Sequence, residues 1–385
     1  MAEWIECKIS DIGTVVGGAT PSTKKTEYYE GGNIAWITPK DLATFSGRYI
    51  QRGERNITEI GLKSCSTQLL PQNTVLFSSR APIGYVAIAA NEVCTNQGFK
   101  SVIPNEVTDP LFLFYLLKYN KDRIEGMGSG TTFKEVSGNT MKNIVVNVPA
   151  DKEIQTKIAS LLGAIDDKIE ENERINNNLE QQMQALYKAW FVDFIPFNGA
   201  KPDNWTISSL GEVTNMGAGG DKPKIISAIQ TEECPYPIYS NGLSDNGLYG
   251  YTNTPKIYDE SVTVSARGTI GFVCIRHTPY VPIVRLVTLI PNTEIISAKY
   301  LYLYLKQLNI TGTGTTQQQL TVPDFRKTEI LVPDKETMSA FTDIITPLFS
   351  KIWANEKENA SLSATRDTLL PKLMSGELDV SEVNF

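Results

Sequence analysis

The chain is 385 residues long and contains a single histidine, His277. That removes His-rich metal sites and leaves any Ser-His-Asp or Cys-His mechanism resting on one residue. Cysteine is sparse: Cys7, Cys65, Cys94, Cys234 and Cys274 are scattered, with no C-x-x-C pair. Neither a zinc site nor a disulfide framework is expected, so no metal is assigned. An odd cysteine count fits a reducing compartment. The opening MAEWIECKIS lacks the basic region and apolar stretch of a secretory signal. No apolar run reaches the roughly 18 residues of a membrane span. A cytoplasmic location and no membrane partner are therefore expected. No G-x-x-x-x-G-K-[ST] phosphate loop occurs, so ATP-driven work is not expected of this chain. Basic surplus is missing too: 36 Lys and Arg face 43 Asp and Glu, a net charge of −7. Taken whole, this argues against a generic nucleic-acid binder.

The average hides an uneven distribution. Residues 1–150 carry 15 basic and 14 acidic groups, and residues 198–333 carry 11 of each. Residues 151–197 and 334–385 each carry 5 basic and 9 acidic groups. All the excess acid thus lies in the second pair of segments, and a local basic face on the first pair remains open.

These four segments are two copies of one plan. Ser79-Arg-Ala-Pro-Ile-Gly84 aligns with Ala266-Arg-Gly-Thr-Ile-Gly271, and Gly128-Ser-Gly-Thr-Thr132 with Gly312-Thr-Gly-Thr-Thr316. Leu113–Lys118 aligns with Leu301–Lys306, and Asp151-Lys-Glu153 with Asp334-Lys-Glu336. The offsets drift only from 183 to 188 residues, far too long a period for a solenoid. Residues 1–150 and 198–333 are rich in glycine, proline, hydroxyls and aromatics. They hold short strand-like runs (Thr74–Phe77, Val86–Ala89, Ser261–Ser265, Phe272–Ile275) and one late helical run each, Leu111–Lys121 and Lys299–Leu308. They read as mixed α/β modules.

Residues 151–197 and 334–385 read as long helices. Ile158, Leu162, Ile165, Ile169, Asn172, Asn176, Leu179, Met183, Leu186 and Trp190 alternate spacings of four and three, a heptad seam. The second helix repeats it as Phe341, Ile345, Leu348, Ile352, Asn355, Asn359, Leu362, Arg366, Leu369 and Leu373. Both seams are interrupted by two asparagines at matching places, Asn172 and Asn176, Asn355 and Asn359. Polar seam residues lower stability but fix register; the alternative is a solvated helix face. An approximate two-fold axis would make the helices antiparallel, with the modules at opposite ends. Forty helical residues span about 60 Å. Two similar heads on such a spacer suit duplex DNA, whose half-sites repeat about every 34–36 Å.

Four stretches carry a family resemblance: Ala185-Leu-Tyr-Lys-Ala-Trp-Phe-Val-Asp-Phe194, Leu369-Leu-Pro-Lys-Leu-Met-Ser-Gly-Glu-Leu378, GGNIAWITPKDL at 31–42 and PIYSNGLSDNGLYGY at 237–251. With the duplication and the length, the chain resembles the specificity subunit of a Type I restriction–modification system. The resemblance implies an α+β fold: two similar mixed α/β target-recognition domains (1–150 and 198–333) joined by two long antiparallel helices (151–197 and 334–385) in a pseudo-two-fold coiled coil. It implies a non-catalytic subunit that reads a split double-stranded DNA site. It also implies that the helices dock two copies of a DNA adenine methyltransferase subunit, and that a restriction and translocase subunit can join. S-adenosylmethionine would belong to the methylation partner, ATP and Mg to the restriction partner, and no cofactor to this chain. Consistent with that, no Asp/Asn-Pro-Pro-Tyr methyltransferase motif is present. The modules differ outside the shared motifs, which predicts an asymmetric site. The Asp334-Lys335-Glu336 cluster reads as a helix start rather than nuclease carboxylates. Two other readings stay open: a stand-alone DNA-binding repressor, and an acidic scaffold with two protein-binding heads. The aromatic cluster Tyr187, Trp190, Phe191 and Phe194 is either an exposed interface or a cap packed on a head.

Base readout needs guanidinium and amide groups at base edges, and phosphate contacts need Lys, Arg and hydroxyls. Arg80 and Arg267, at one repeat position, are candidates for DNA contact, or structural partners of a carboxylate. The glycine-hydroxyl loop supplies Ser129, Thr131, Thr132 and Lys134. Its counterpart supplies Thr313, Thr315, Gln317, Gln318 and Gln319. Lys24, Lys25, Trp36, Thr38 and Lys40 form a basic and aromatic loop region, although Trp36 also suits a core. Tyr239, Asn241, Asn246 and Tyr251 are the candidates in the second module, although Asn-Gly pairs are turn formers in any case. His277 has no counterpart and no assigned role.

Overall fold

The computed structural model describes residues 2–80, 82–130, 134–312 and 319–383. Two compact units result: Met1–Arg174 with Asn355–Phe385, and Ile175–Ala354. Each therefore holds one module together with half of each long helix.

In the first unit an antiparallel sheet runs in the order Gly13–Gly17, Lys100–Pro104, Val75–Ser79, Ile83–Ala89, with Tyr49–Ile50 added in parallel at the edge. The second unit repeats the order with Thr214–Ala218, Val287–Pro291, Ser261–Val264 and Val273–Arg276. Register repeats as well. Val75 faces Val102 in one sheet, and Val262 faces Leu289 in the other. Each module adds a three-stranded sheet with one antiparallel and one parallel pairing. In the first it is centred on Ile34–Ile37, in the second on Tyr236–Tyr239. Each also adds a two-stranded sheet that ties its start to its end: Trp4–Lys8 with Val145–Pro149, and Thr206–Ser209 with Glu329–Val332.

One apolar helix lies on each main sheet. Pro110–Tyr119 starts with proline and is capped by Asp109, whose carboxylate accepts the Phe112 N–H at 2.8 Å. Ser297 caps Ala298–Gln307 by accepting the Tyr300 N–H.

The long helices span Lys152–Phe191 and Lys335–Met374, 40 residues each. Asp151 Oδ1 accepts the Glu153 N–H at 2.8 Å, and Asp334 Oδ1 accepts the Thr337 N–H at 3.0 Å. The Asp-Lys-Glu clusters are thus helix starts. Asp334 also receives the Trp205 indole N–H at 2.8 Å, which ties this start to the second module. Two residues past the end of the second helix stands Gly376, whose φ of +76° is the left-handed conformation glycine adopts freely. Any Cβ there would also stand 2.7 Å from the Trp4 indole nitrogen. The Met-Ser-Gly sequence is therefore both a helix stop and a socket for Trp4.

No described seam residue is exposed. Within the first unit the helices run antiparallel. Asn172 Nδ2 donates to Glu358 and to Asn359 Oδ1, both at 2.8 Å, and Arg366 Nη1 meets Asp166 at 2.7 Å. Asn355 is buried. Asp166 also accepts the Tyr115 hydroxyl at 2.6 Å, so it is fully engaged despite its burial. Arg48 reaches the same helix through Asp167, Glu170 (Nε–Oε1, 2.9 Å) and the Gly163 carbonyl. A side chain at Gly163 would crowd that guanidinium, which explains a glycine inside a helix. Within the second unit the seam is aromatic. Phe191 packs edge-on against Phe341 (4.7 Å) and Tyr300 (4.9 Å). The Tyr187–Phe194 cluster is consequently packed on the second module and not an open patch, because the module's own core includes Phe191 and Tyr187.

Arg366→Leu leaves Asp166 buried with one remaining partner and should cost about 3 kcal/mol in a denaturant titration. Asp334→Ala should cost about 1 kcal/mol. Hydrogen bonds, the Thr337 N–H first, hold the Asp334 pKa below its ordinary value. Its contribution is therefore present at neutral pH and lost as pH falls below about 4. The difference between wild type and variant should shrink there in pH-dependent melting curves.

Candidate nucleic-acid interface

The repeated arginines sit in loops built the same way. In the first module, Ser78 Oγ donates to the Pro82 carbonyl and accepts the Tyr85 N–H, both at 2.8 Å. In the second, Ser265 Oγ donates to the Thr269 carbonyl and accepts the Phe272 N–H at 2.8 Å. One serine hydroxyl thus pins the base of the loop that carries Arg80 or Arg267. The glycine-hydroxyl segments lie against these loops: Val136 N–H donates to Ser79 O at 3.0 Å and Leu320 N–H to Ala266 O at 3.1 Å. A Cβ on Gly128 would lie 3.1 Å from Ile83 Cδ1, and one on Gly312 would lie 2.6 Å from Ile270 Cδ1. These are the isoleucines of the repeated Ile-Gly motif; the fit is tight at Gly128, and at Gly312 a Cβ would also stand 2.7 Å from the Gln319 backbone nitrogen, so glycine is required there. Arg80 therefore lies beside Glu135, which bridges Ser129 through its backbone, and the residue after Gln319 is bonded to the residue before Arg267. Thr131, Thr132, Thr313, Thr315, Gln317 and Gln318 lie outside the described residues.

The electrostatics of the two loops differ. Arg80 Nη1 lies 3.6 Å from Glu135, and Lys100 Nζ lies 3.2 Å from the same carboxylate. Gln319 occupies the corresponding place in the second module. Arg267 is exposed, and among the described residues no carboxylate pairs with it.

The remaining candidates divide into outward groups and supports. Lys24 and Lys25 are exposed, and Lys25 Nζ donates to Tyr28 Oη at 3.0 Å. Trp36 is buried: its indole N–H donates to the Ala19 carbonyl and its ring meets Tyr29 edge-on. Thr38 caps Pro39–Ala43, its N–H and hydroxyl both donating to Asp41 Oδ2. Lys40 is exposed and 2.8 Å from Glu54. In the second module the Arg276 guanidinium lies 3.6 Å over the Tyr239 ring, donates to the Asn246 carbonyl at 2.7 Å and to Thr263 Oγ1 at 3.0 Å. Burial pushes the Tyr239 hydroxyl pKa up. Asn246 takes a left-handed turn conformation, φ 53°. Asn241 is bonded at both ends of its amide: Nδ2 donates to Val284 O and Oδ1 accepts the Ala266 N–H, each at 2.7 Å. Tyr251 pairs its backbone with Ser227. Sequence reasoning missed Arg276. Its partners lie 13 and 30 residues away and no local pattern signals them. His277, given no role, stacks on Trp353 at 4.1 Å, and burial lowers its pKa.

Among the described residues no three His, Cys, Asp or Glu side chains gather to hold a metal ion. Among them, too, no helix is long and apolar enough to cross a membrane.

Glu135→Gln gives the first module the second module's amide and removes the common partner of Arg80 and Lys100. Stability should fall by about 1 kcal/mol at low salt. The difference should narrow at 1 M salt, where the Debye length is about 3 Å.

Comparison with known proteins places this architecture. A family model described as Type I restriction modification DNA specificity domain matches residues 1–181 and again 202–364. The Type I restriction enzyme MjaIX specificity subunit of Methanocaldococcus jannaschii is 35% identical, over 99% of this chain and 95% of that protein. The HindI specificity subunit of Haemophilus influenzae is 25% identical, over 98% of this chain and all of that protein. The crystal structure of a Type I restriction–modification S subunit from M. genitalium has the same fold, with a TM-score of 0.61 at 19% identity over 97% of this chain and 96% of that one. Two matches to one domain model, on two modules of one topology, show that the chain belongs to the Type I restriction–modification specificity subunit family.

Proposed function

We propose that this chain binds double-stranded DNA and selects a split, asymmetric site, each module reading one half. The observation that carries the reading is a shared loop scaffold with different chemistry displayed on it. Serine-pinned arginine loops recur in both modules, yet Glu135 gives way to Gln319 beside them. Two readers built alike but charged differently select different half-sites.

Residues 1–150 and 198–333 act as the readers. Arg80, Ser129, Thr131, Thr132, Lys134, Lys24, Lys25 and Lys40 face DNA in the first. Arg267, Thr313, Thr315, Gln317, Gln318, Gln319, Asn246 and Tyr251 do so in the second. Trp36, Thr38, Tyr239 and Asn241 hold these loops in shape. Residues 151–197 and 334–385 set the spacing between half-sites and dock two copies of an adenine methyltransferase subunit, with Asn172, Asn176, Asn355 and Asn359 fixing helix register. The chain itself does no chemistry. The methylation partner brings S-adenosylmethionine to a flipped adenine, and a restriction partner supplies ATP- and Mg-dependent translocation in the cytoplasm.

The test is genome-wide adenine methylation by single-molecule sequencing, in cells with and without this gene and its methyltransferase. Loss of one two-part asymmetric motif is the expected result. Exchanging residues 1–150 for another such module should rewrite one half of the motif only. A pattern that never changes would favour a stand-alone DNA-binding repressor or an acidic scaffold, and salt-dependent DNA binding separates those two, since the scaffold predicts no DNA affinity at any salt.

A further inference from the structure

One backbone feature of the second module is unexplained by packing. Val284 and Arg285 are consecutive non-glycine residues in the left-handed region, with φ of 52° and 60°. For a β-branched valine this is a strained conformation, of the kind that persists where surrounding contacts enforce it and where function uses it. The enforcing contacts are visible. Val284 N–H donates to Gly220 O at 3.0 Å, Arg285 N–H to Gly219 O at 2.8 Å, and Leu286 N–H to Ile283 O at 3.1 Å. The fourth contact comes from Asn241, whose Nδ2 donates to Val284 O. The other end of the same amide holds Ala266 N–H.

Asn241 therefore bonds the residue immediately before Arg285 and the residue immediately before Arg267. Both arginines are exposed, and among the described residues neither has a carboxylate partner. One amide thus ties together the two backbone segments that carry Arg267 and Arg285. The first module has no equivalent pair. There Asn96 N–H donates to Ile37 O as Ile283 N–H does to Tyr239 O, so Gln97 and Gly98 stand where Val284 and Arg285 stand.

We infer that Arg285 is a specificity-determining residue that reads a guanine in the half-site of the second module, with Asn241 as its positioning residue. This rests on the DNA-reading role proposed above. A backbone fixed on both sides of the arginine suits a bidentate contact to guanine O6 and N7, because less chain freedom is left to lose on binding.

The experiment uses the full chain assembled with its methylation subunits and reads the methylated motif and its affinity for duplex DNA. Arg285→Ala should turn one guanine of one half-site degenerate, lower affinity for the original site roughly 10- to 100-fold, and leave the other half-site intact. Arg285→Lys should fail to restore the discrimination, since an ammonium cannot make the two-pronged contact. Asn241→Ala should broaden the same position while both arginines remain. A uniform loss of affinity with an unchanged motif, or full rescue by lysine, would make Arg285 a phosphate contact and overturn the assignment. An unchanged motif and affinity would overturn it as well, with the reading role intact. A wild type with no motif and no DNA affinity would sink the reading role and this assignment together.

Discussion

The antiparallel contact between the two long helices is also part of the core of each module. In the first unit Ile158, Leu162 and Leu373 are packed into one apolar cluster with Phe77, Phe112 and Leu116. In the second, Met183, Tyr187, Phe341 and Ile345 join Val262, Tyr300 and Leu301. Each module borrows one face from each helix to finish burying its sheet and short helix. Burial of this kind is worth roughly 25 cal/mol per Å² of apolar surface, so a module separated from either helix would expose the centre of its own core. Modules and helices are a single folding problem, and the compact units cut across both helices for that reason.

The two units meet that constraint with different chemistry. At the first, the helix face toward the module carries Asp166, Asp167 and Glu170, answered by Arg48, Arg366 and the Tyr115 hydroxyl. At the second it carries Tyr187, Phe191, Phe341 and Trp353, answered by Tyr300, Trp205 and His277. Charge pairs of this sort are orientation-dependent and gain little over apolar packing of equal volume. Aromatic packing is more forgiving of small shifts. The duplication therefore conserved topology and register while the filling of each contact diverged, much as it did at the arginine loops.

How much of this was legible in the sequence follows from the range of the interactions. The long helices, their seams and the matching strand runs came from local periodicity, which one sequence displays directly. Val75–Ser79 and Ser261–Val264 fall within about two residues of the expected runs. The repeat itself exposed the arginine loops, because the same short motif recurs at a nearly constant offset. Three things stayed hidden. The small three-stranded sheets join segments far apart in the chain, as when Trp36 pairs with Cys94. Buried arginines such as Arg48 and Arg276 look like any surface arginine until their distant partners are placed. Asn241 and Asn246 read as turn formers, and they are; yet the Asn241 side chain bridges two loops 25 and 43 residues away. Long-range satisfaction of polar groups leaves no local trace.

The polar interruption of the helix seam is the clearest case of structure kept at a cost. Asn172 is fully buried, and its amide nitrogen spends both hydrogens on Glu358 and Asn359 across the helix pair. Its carbonyl oxygen is buried with no partner among the described residues. An unsatisfied buried acceptor costs about 1–3 kcal/mol, and a leucine there would bury cleanly. A leucine, however, would pack nearly as well one heptad away, whereas the asparagine amide finds Asn359 in one alignment only. A slip of the seam by one heptad would move the helices about 10 Å along each other. Every module residue buried against either helix would then lose its place. On the register role proposed above, the asparagine would give up stability to exclude that alternative and so hold the helix faces on which both module cores depend.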